Sequence, residues 1–339
     1  MQFRTLIAER SDIEVVRRAA MQLAVRCGFS ERATDRLDEA VASAAACLLS
    51  RPGGHGELMI RPLREEVSGL AAPRIEILAL ERYAPDERSG LALLAPIAEA
   101  FTLHCTPERG HIARMVLPPS ERFIPFGTDI AVGAICVPRP QQVTRCQPWH
   151  IELMSPGGFN LTLLHGLGHG PDAHQLTTAA HRAAGACVAA TPGIIAERVR
   201  SALGSNLHGD VALGVATLDT QGDHLCFAGG GGIHALIDTP TAPRYVQPPA
   251  GPSGTIGTEM AWPEGSLLVL YCGDLCDDVQ LPDSDVLSTL HPAIVAALLY
   301  RDFMAAEGEG TVVVCRHEAA TRPASAADAA TQDVRLEEN

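Results

Sequence analysis

The chain has 339 residues, enough for two domains with separate cores, and 46% of them are hydrophobic but only 4% aromatic. All 26 basic residues are arginine, and 40 acids outnumber them to leave a net charge of −14. That balance argues against nucleic acid or an anionic membrane as the main partner. The opening MQFRTLIAERSD lacks the apolar run of a secretory signal, and no stretch approaches the ~20 apolar residues of a membrane span. A cytoplasmic protein without membrane attachment is therefore expected. Ten cysteines without a CxxC pair read as buried free thiols of a reducing compartment.

In chain order, residues 13–29 and 31–51 show helical periodicity, the second run ending at Pro52-Gly53-Gly54. GELMIRPL and RIEILALER alternate like paired strands. GLALLAPIAEAF (90–101) reads as a third helix, and 102–118 as a hairpin. These elements predict a small α/β sandwich over residues 1–118, with helices on one face of a sheet. The proline-punctuated stretch 119–127 is the expected linker. A second unit over 128–317 opens with strands DIAVGAICVP, WHIELM and NLTLLHG. Two helices follow at 172–190 and 193–206, then strands at 209–219, 223–230, 233–238 and 266–273. A helix at 291–306 precedes a last strand, GTVVVCRH. Two stacked sheets with helices outside are predicted, and the Ala- and acid-rich tail 318–339 is expected to be disordered.

LTLLHGLGHGPDAHQ (161–175) has the form of a strand, a glycine-rich turn and a helix start, with His165 at the tip and His169 four positions on. A zinc HxxxH pair needs a helix and usually a neighbouring Glu, and Gly-Leu-Gly between the histidines provides neither. A dinucleotide loop needs a third glycine at a fixed offset and a later acid, also missing.

GLGHGPDA after a strand, then GDVALGVATLD, LCFAGGGGI, PSGTIGTEM, PEGSLLVLYCGDL and HPAIVAALLYRDF…GTVVVCR, occur in an order that resembles the SpoIIE/RsbX branch of PPM-type serine/threonine phosphatases. The resemblance covers about 135–317. ERSDIEVVRRAAMQLAVRCGFSERATDRLDEAV is similar to the opening of a GHKL, RsbT/RsbW-type switch kinase. It implies an α+β protein, with an N-terminal Bergerat-type α/β sandwich and a C-terminal PPM-type αββα four-layer sandwich.

The resemblance also implies two Mn²⁺ or Mg²⁺ ions on carboxylates in an active phosphatase. At the four places that normally supply them, this chain has Gln147-Pro148 before Trp149, His165-Gly166, Cys272-Gly273-Asp274-Leu275, and Gly308-Glu309-Gly310-Thr311. Imidazole in place of a bridging carboxylate removes a charge and a hard oxygen that those ions favour. Asp274 is displaced by one position and returns to place only if the strand end bulges. A single transition metal on His165, Asp274, Asp277, Asp278 and Glu309 is the other arrangement open to these residues.

In the kinase-like half, Ser43 and Cys47 stand where the resemblance implies a Glu base and a Mg²⁺-binding Asn. Glu81 to Pro85 replace the adenine-reading DxGxG, and SGLALLAP has lost two phosphate-loop glycines. Cys47 is a weak hydrogen-bonding partner and a soft ligand. The expectation is a catalytically inactive partner-switching regulator, with no cofactor and no nucleic acid. Its partners by family analogy are a STAS-domain antagonist, a switch kinase or a sigma factor. The alternative is an active metal-dependent phosphoserine/phosphothreonine phosphatase with altered Mn²⁺ or Mg²⁺ ligands.

Overall fold

A computed structural model describes residues 2–50, 56–63, 73–81, 89–106, 109–120, 129–137, 149–155, 157–166, 171–187, 190–204, 211–240, 243–246, 258–275, 279–305 and 308–318. Strand β1 (Phe3–Ile7) leads into helices α1 (Arg10–Arg26) and α2 (Glu31–Leu49). The Asp12 carboxylate accepts the Glu9 amide at 2.9 Å to start α1, and Ser30 Oγ accepts the Ala33 amide at 3.3 Å to start α2. Strands β2 (Gly56–Leu63), β3 (Arg74–Glu81), β4 (Ala100–Thr106) and β5 (Gly110–Leu117) complete an antiparallel first sheet, ordered β1-β2-β3-β5-β4. Ile60, Ile77 and Met115 turn toward α1 and α2, where Leu37, Val41 and Leu48 meet them.

The helix expected over 90–101 is a correction. Gly90–Ile97 forms a 3₁₀ helix and Phe101 already belongs to β4. Pro96 lacks an N–H and disfavours helix in the residue before it, and the Glu99 amide pairs with the Val116 carbonyl at 2.9 Å, drawing the chain into the sheet. The sequence reading also passed over β1, which pairs with β2 from Phe3↔Ile60 to Ile7↔Gly56.

The second part begins with β6 (Ile130–Val137), β7 (Trp149–Ser155) and β8 (Gly158–Gly166), followed by α3 (Pro171–Gly185) and α4 (Pro192–Leu203). Then come β9 (Val211–Asp219), β10 (His224–Gly230), β11 (His234–Asp238), β12 (Pro243–Val246), β13 (Thr258–Ala261), β14 (Leu267–Gly273), α5 (Ser284–Thr289), α6 (Pro292–Phe303) and β15 (Gly310–His317). The second sheet is ordered β13-β10-β9-β8-β7 and the third β12-β11-β14-β15-β6, both antiparallel. Strands β12 and β13 and helix α5 were not foreseen. They are short, of 4, 4 and 6 residues, too brief to establish a period.

Apolar clusters define how the layers stack. Leu161, Phe227, Leu268 and Leu270 join the second and third sheets, and Leu164, Val215, Ile195 and Val199 join the second sheet to α3 and α4. On the far side of the third sheet, α6 packs against Ile135, Val312 and Val314 and also against Met59, Leu78, Leu80 and Ile112 of the first sheet. The result is a six-layer order: α1/α2, first sheet, α6, third sheet, second sheet, α3/α4. The first sheet thus has helices on both faces, where the sequence led us to expect one.

Most of the expected linker, the tail beyond Glu318, and residues Gln147, Pro148, His169, Asp277 and Asp278 lie outside the described residues. Of the eight described cysteines, Cys27, Cys187, Cys272 and Cys315 are buried, while Cys105 is exposed, so the expectation of burial holds for only part of the set. Among the described residues no helix is long and apolar enough to cross a membrane.

Candidate functional site

Strand β8 delivers His165 and Gly166 to its end, opposite Ala212 and Val211 of β9. Across the sandwich, β14 approaches β8 and ends at Cys272-Gly273. The β14–β15 register runs unbroken from Leu267↔Arg316 to Gly273↔Gly310, so the bulge that would return Asp274 to a ligand position is not formed.

Asp274 is instead built into a turn. Its amide donates to the Glu309 carbonyl at 2.7 Å, and its Oδ2 accepts the Glu309 amide at 3.0 Å. The turn demands glycine: Gly273 has φ +93°, and a Cβ there would sit 2.2 Å from the Glu309 carbonyl oxygen. Beneath it, burial pushes the Cys272 thiol up to about 12, which keeps it a neutral thiol rather than a thiolate ligand.

The fit to a metal can be judged from this donor set. His165 is half-buried and supplies nitrogen, while one oxygen of Asp274 is committed to a backbone amide. Among the described residues no three His, Cys, Asp or Glu side chains gather closely enough to hold an ion. The described groups do not fit a pair of hard divalent cations.

In the N-terminal half, Ser43 and Cys47 lie one turn apart on α2, both half-buried. Cys47 faces the 3₁₀ helix, where a Cβ on Gly90 would stand 3.3 Å from its sulfur. Glu81 at the end of β3 is buried, and its Oε2 meets His111 Nδ1 at 2.6 Å and accepts the Ser89 hydroxyl at 3.3 Å. That oxygen is therefore engaged within the protein.

Sequence reasoning missed the polar groups between the first sheet and α6. Glu76, fully buried, accepts from Arg61 Nε at 2.5 Å and Arg114 Nε at 2.6 Å. Burial pushes its carboxyl up, but the two guanidiniums outweigh burial and hold it at about 2. Nearby His291 caps α6 by accepting the Ala293 amide at Nδ1, 3.1 Å; burial and the Arg114 charge push it down to about 3. The Arg61 guanidinium also lies over the Trp149 ring, 5.8 Å from its centre. A signal for this cover was present: PAIVAALLY in α6 is apolar on every face, and such a helix needs protein on all sides.

No protein-family model matches the chain, and no curated protein matches it. Among solved structures it is similar to the PP2C phosphatase domain and a fragment of the regulatory domain of the cell fate determinant SpoIIE from Bacillus subtilis. That match has 15% identity over 92% of this chain and 95% of the other, with a TM-score of 0.47. It is similar to RsbX in complex with magnesium, at 12% identity, 55% and 94% coverage and a TM-score of 0.44. A structure from work on the bacterial stressosome and secondary-messenger signalling is similar at 16% identity, 55% and 99% coverage and a TM-score of 0.48.

Proposed function

We propose that this chain is a protein-binding regulator of a bacterial partner-switching pathway, in which a phosphatase-like sandwich (128–317) and a switch-kinase-like unit (1–118) serve recognition rather than turnover. The reading rests on one observation above the others: Asp274, the acid nearest a ligand position, spends a carboxylate oxygen on the Glu309 amide in an unbulged strand end. His165 at the facing strand end adds a nitrogen where a hard cation favours oxygen. On the kinase-like side, Glu81 is held by His111 and Ser89, and Cys47 replaces a hard ligand by a soft one. What such a scaffold retains is surface for the partners of this class: a STAS-domain antagonist, a switch kinase or a sigma factor.

Calorimetric titration of chelator-stripped protein with Mn²⁺ tests the reading without knowledge of a substrate. No heat up to millimolar metal is expected. Micromolar binding that disappears in Asp274→Ala or Glu309→Ala would overturn it and favour a working phosphatase.

A further inference from the structure

Over its first nine residues helix α6 has no face in water, and Arg301, Asp302 and Phe303 at its end are partly exposed. Its residues from Pro292 to Tyr300 are all buried, with the first sheet on one side and the third on the other. At its start the backbone of β6 comes so close that a Cβ on Gly133 would stand 2.0 Å from the Ala293 nitrogen. Interiors packed at this density transmit displacement, since no slack separates the neighbours.

The last turn of α6 is fastened to the first sheet by polar groups. The Tyr300 hydroxyl donates to the buried Glu57 carboxylate at 2.6 Å, and Arg4 Nε donates to the same Oε2 at 2.8 Å. Arg301 Nη2 donates to Thr106 Oγ1 at 3.2 Å, and Arg109 reaches Asp302 at 3.3 Å. The residues that leave this turn run directly to Asp274. Met304 bridges to Leu275, the Ala305 amide donates to the Asp274 carbonyl at 3.2 Å, and the Gly308 amide donates to the Ala305 carbonyl at 2.9 Å. Tyr300 is thus fastened to the first sheet, and Ala305, five residues on, is fastened to Asp274 and Gly308.

We propose that the last turn of α6 is a mechanical link between the first sheet and the Asp274–Glu309 turn, with the Glu57–Tyr300–Arg4 latch as its release. The latch is either made or broken, because a buried carboxylate that loses a donor is strongly destabilised and the groups around it must rearrange. It is reachable from outside: Arg4 lies on edge strand β1 with 29% of its side chain exposed. An acidic protein segment bound along that edge would compete with Glu57 for Arg4 and loosen α6 from the sheet. The link is a property of packing and stands apart from whether the turn holds a metal.

Residue-resolved amide hydrogen exchange on the full chain tests it, comparing the parent with Tyr300→Phe. A second variant, Leu164→Ala, weakens the layer between the second sheet and α3/α4 without touching α6. In Tyr300→Phe, the amides of Ala305, Gly308 and Glu309 are expected to exchange about tenfold faster relative to that of Val215 in β9, the factor set by one lost hydrogen bond. Leu164→Ala should not produce that local change. Unchanged exchange at the three amides, or the same acceleration at Val215, overturns the proposal. If Tyr300→Phe fails to fold, Arg4→Gln loosens the same latch from the edge and is read in the same way.

Discussion

Between the second and third sheets lie Leu161, Leu163, Phe227, Trp262, Leu268 and Leu270, an interior of hydrocarbon and aromatic rings. Between the first sheet and α6, Met59, Leu78, Leu80 and Ile112 share the space with Glu57, Arg61, Glu76 and Arg114. Hydrophobic burial is non-directional, so the first interface is held by area and shape. The second adds groups that are stable in one arrangement alone, because any shift leaves Glu76 or its guanidiniums without partners in a low dielectric. The charges fix how the two halves dock; the apolar residues around them supply the adhesion.

The sharpest way to break that contrast is Glu76→Ala. It strands Arg61 and Arg114 as buried charges and is expected to cost about 3–5 kcal/mol in denaturant unfolding. Replacing all three by Met and Leu should restore most of that loss, since the net worth of a buried ion cluster is small compared with the penalty for breaking it. On the apolar side, Leu161→Ala is expected to cost about 2–5 kcal/mol through lost transfer energy and the cavity left behind. No second substitution at a charged site should recover it. Tyr300→Phe removes one donor to Glu57, and its effect is expected to be confined to the last turn of α6 and the Asp274–Glu309 turn, read by local amide exchange rather than by global unfolding.

The smallest effect is one of pH. His291 and Glu76 both have folded-state values below their ordinary 6.5 and 4.5, at about 3 and about 2. The unfolded chain then binds more protons than the folded one below about pH 6.5, so stability falls with pH, first through His291 and then also through Glu76 below about pH 4.5. His291→Asn keeps an N-cap acceptor and removes the titration. Its stability should be flatter than the parent's between pH 6.5 and 4.5, and urea midpoints across that range would show it.

How much of this was legible depended on what the alternation of residues can encode. Strands such as GELMIRPL and RIEILALE announce themselves by period two, and Leu58, Ile60, Ile75 and Ile77 do face α1 and α2, whereas Leu78 and Leu80 face α6. The same alternation cannot say whether the charged face meets water or another layer, and Glu57, Arg61 and Glu76 read as solvent-facing on spacing alone. The apolar roundness of α6 was the countervailing clue. At the strand ends, the order of blocks pointed to His165, Asp274 and Glu309, which lie near the end of β8, just after β14 and just before β15. What the sequence does not carry is the backbone register that commits Asp274 to the Glu309 amide.

The all-round burial of α6 has a consequence for dividing the chain. A protein cut near residue 120 into two pieces would leave the first with Glu76 and its arginines opened to solvent on a bare sheet face. The second would display a helix of Ile294, Ala297, Leu298 and neighbours with nothing over it. Such a patch invites self-association. Each piece alone is thus expected to self-associate, so that neither is a portable module.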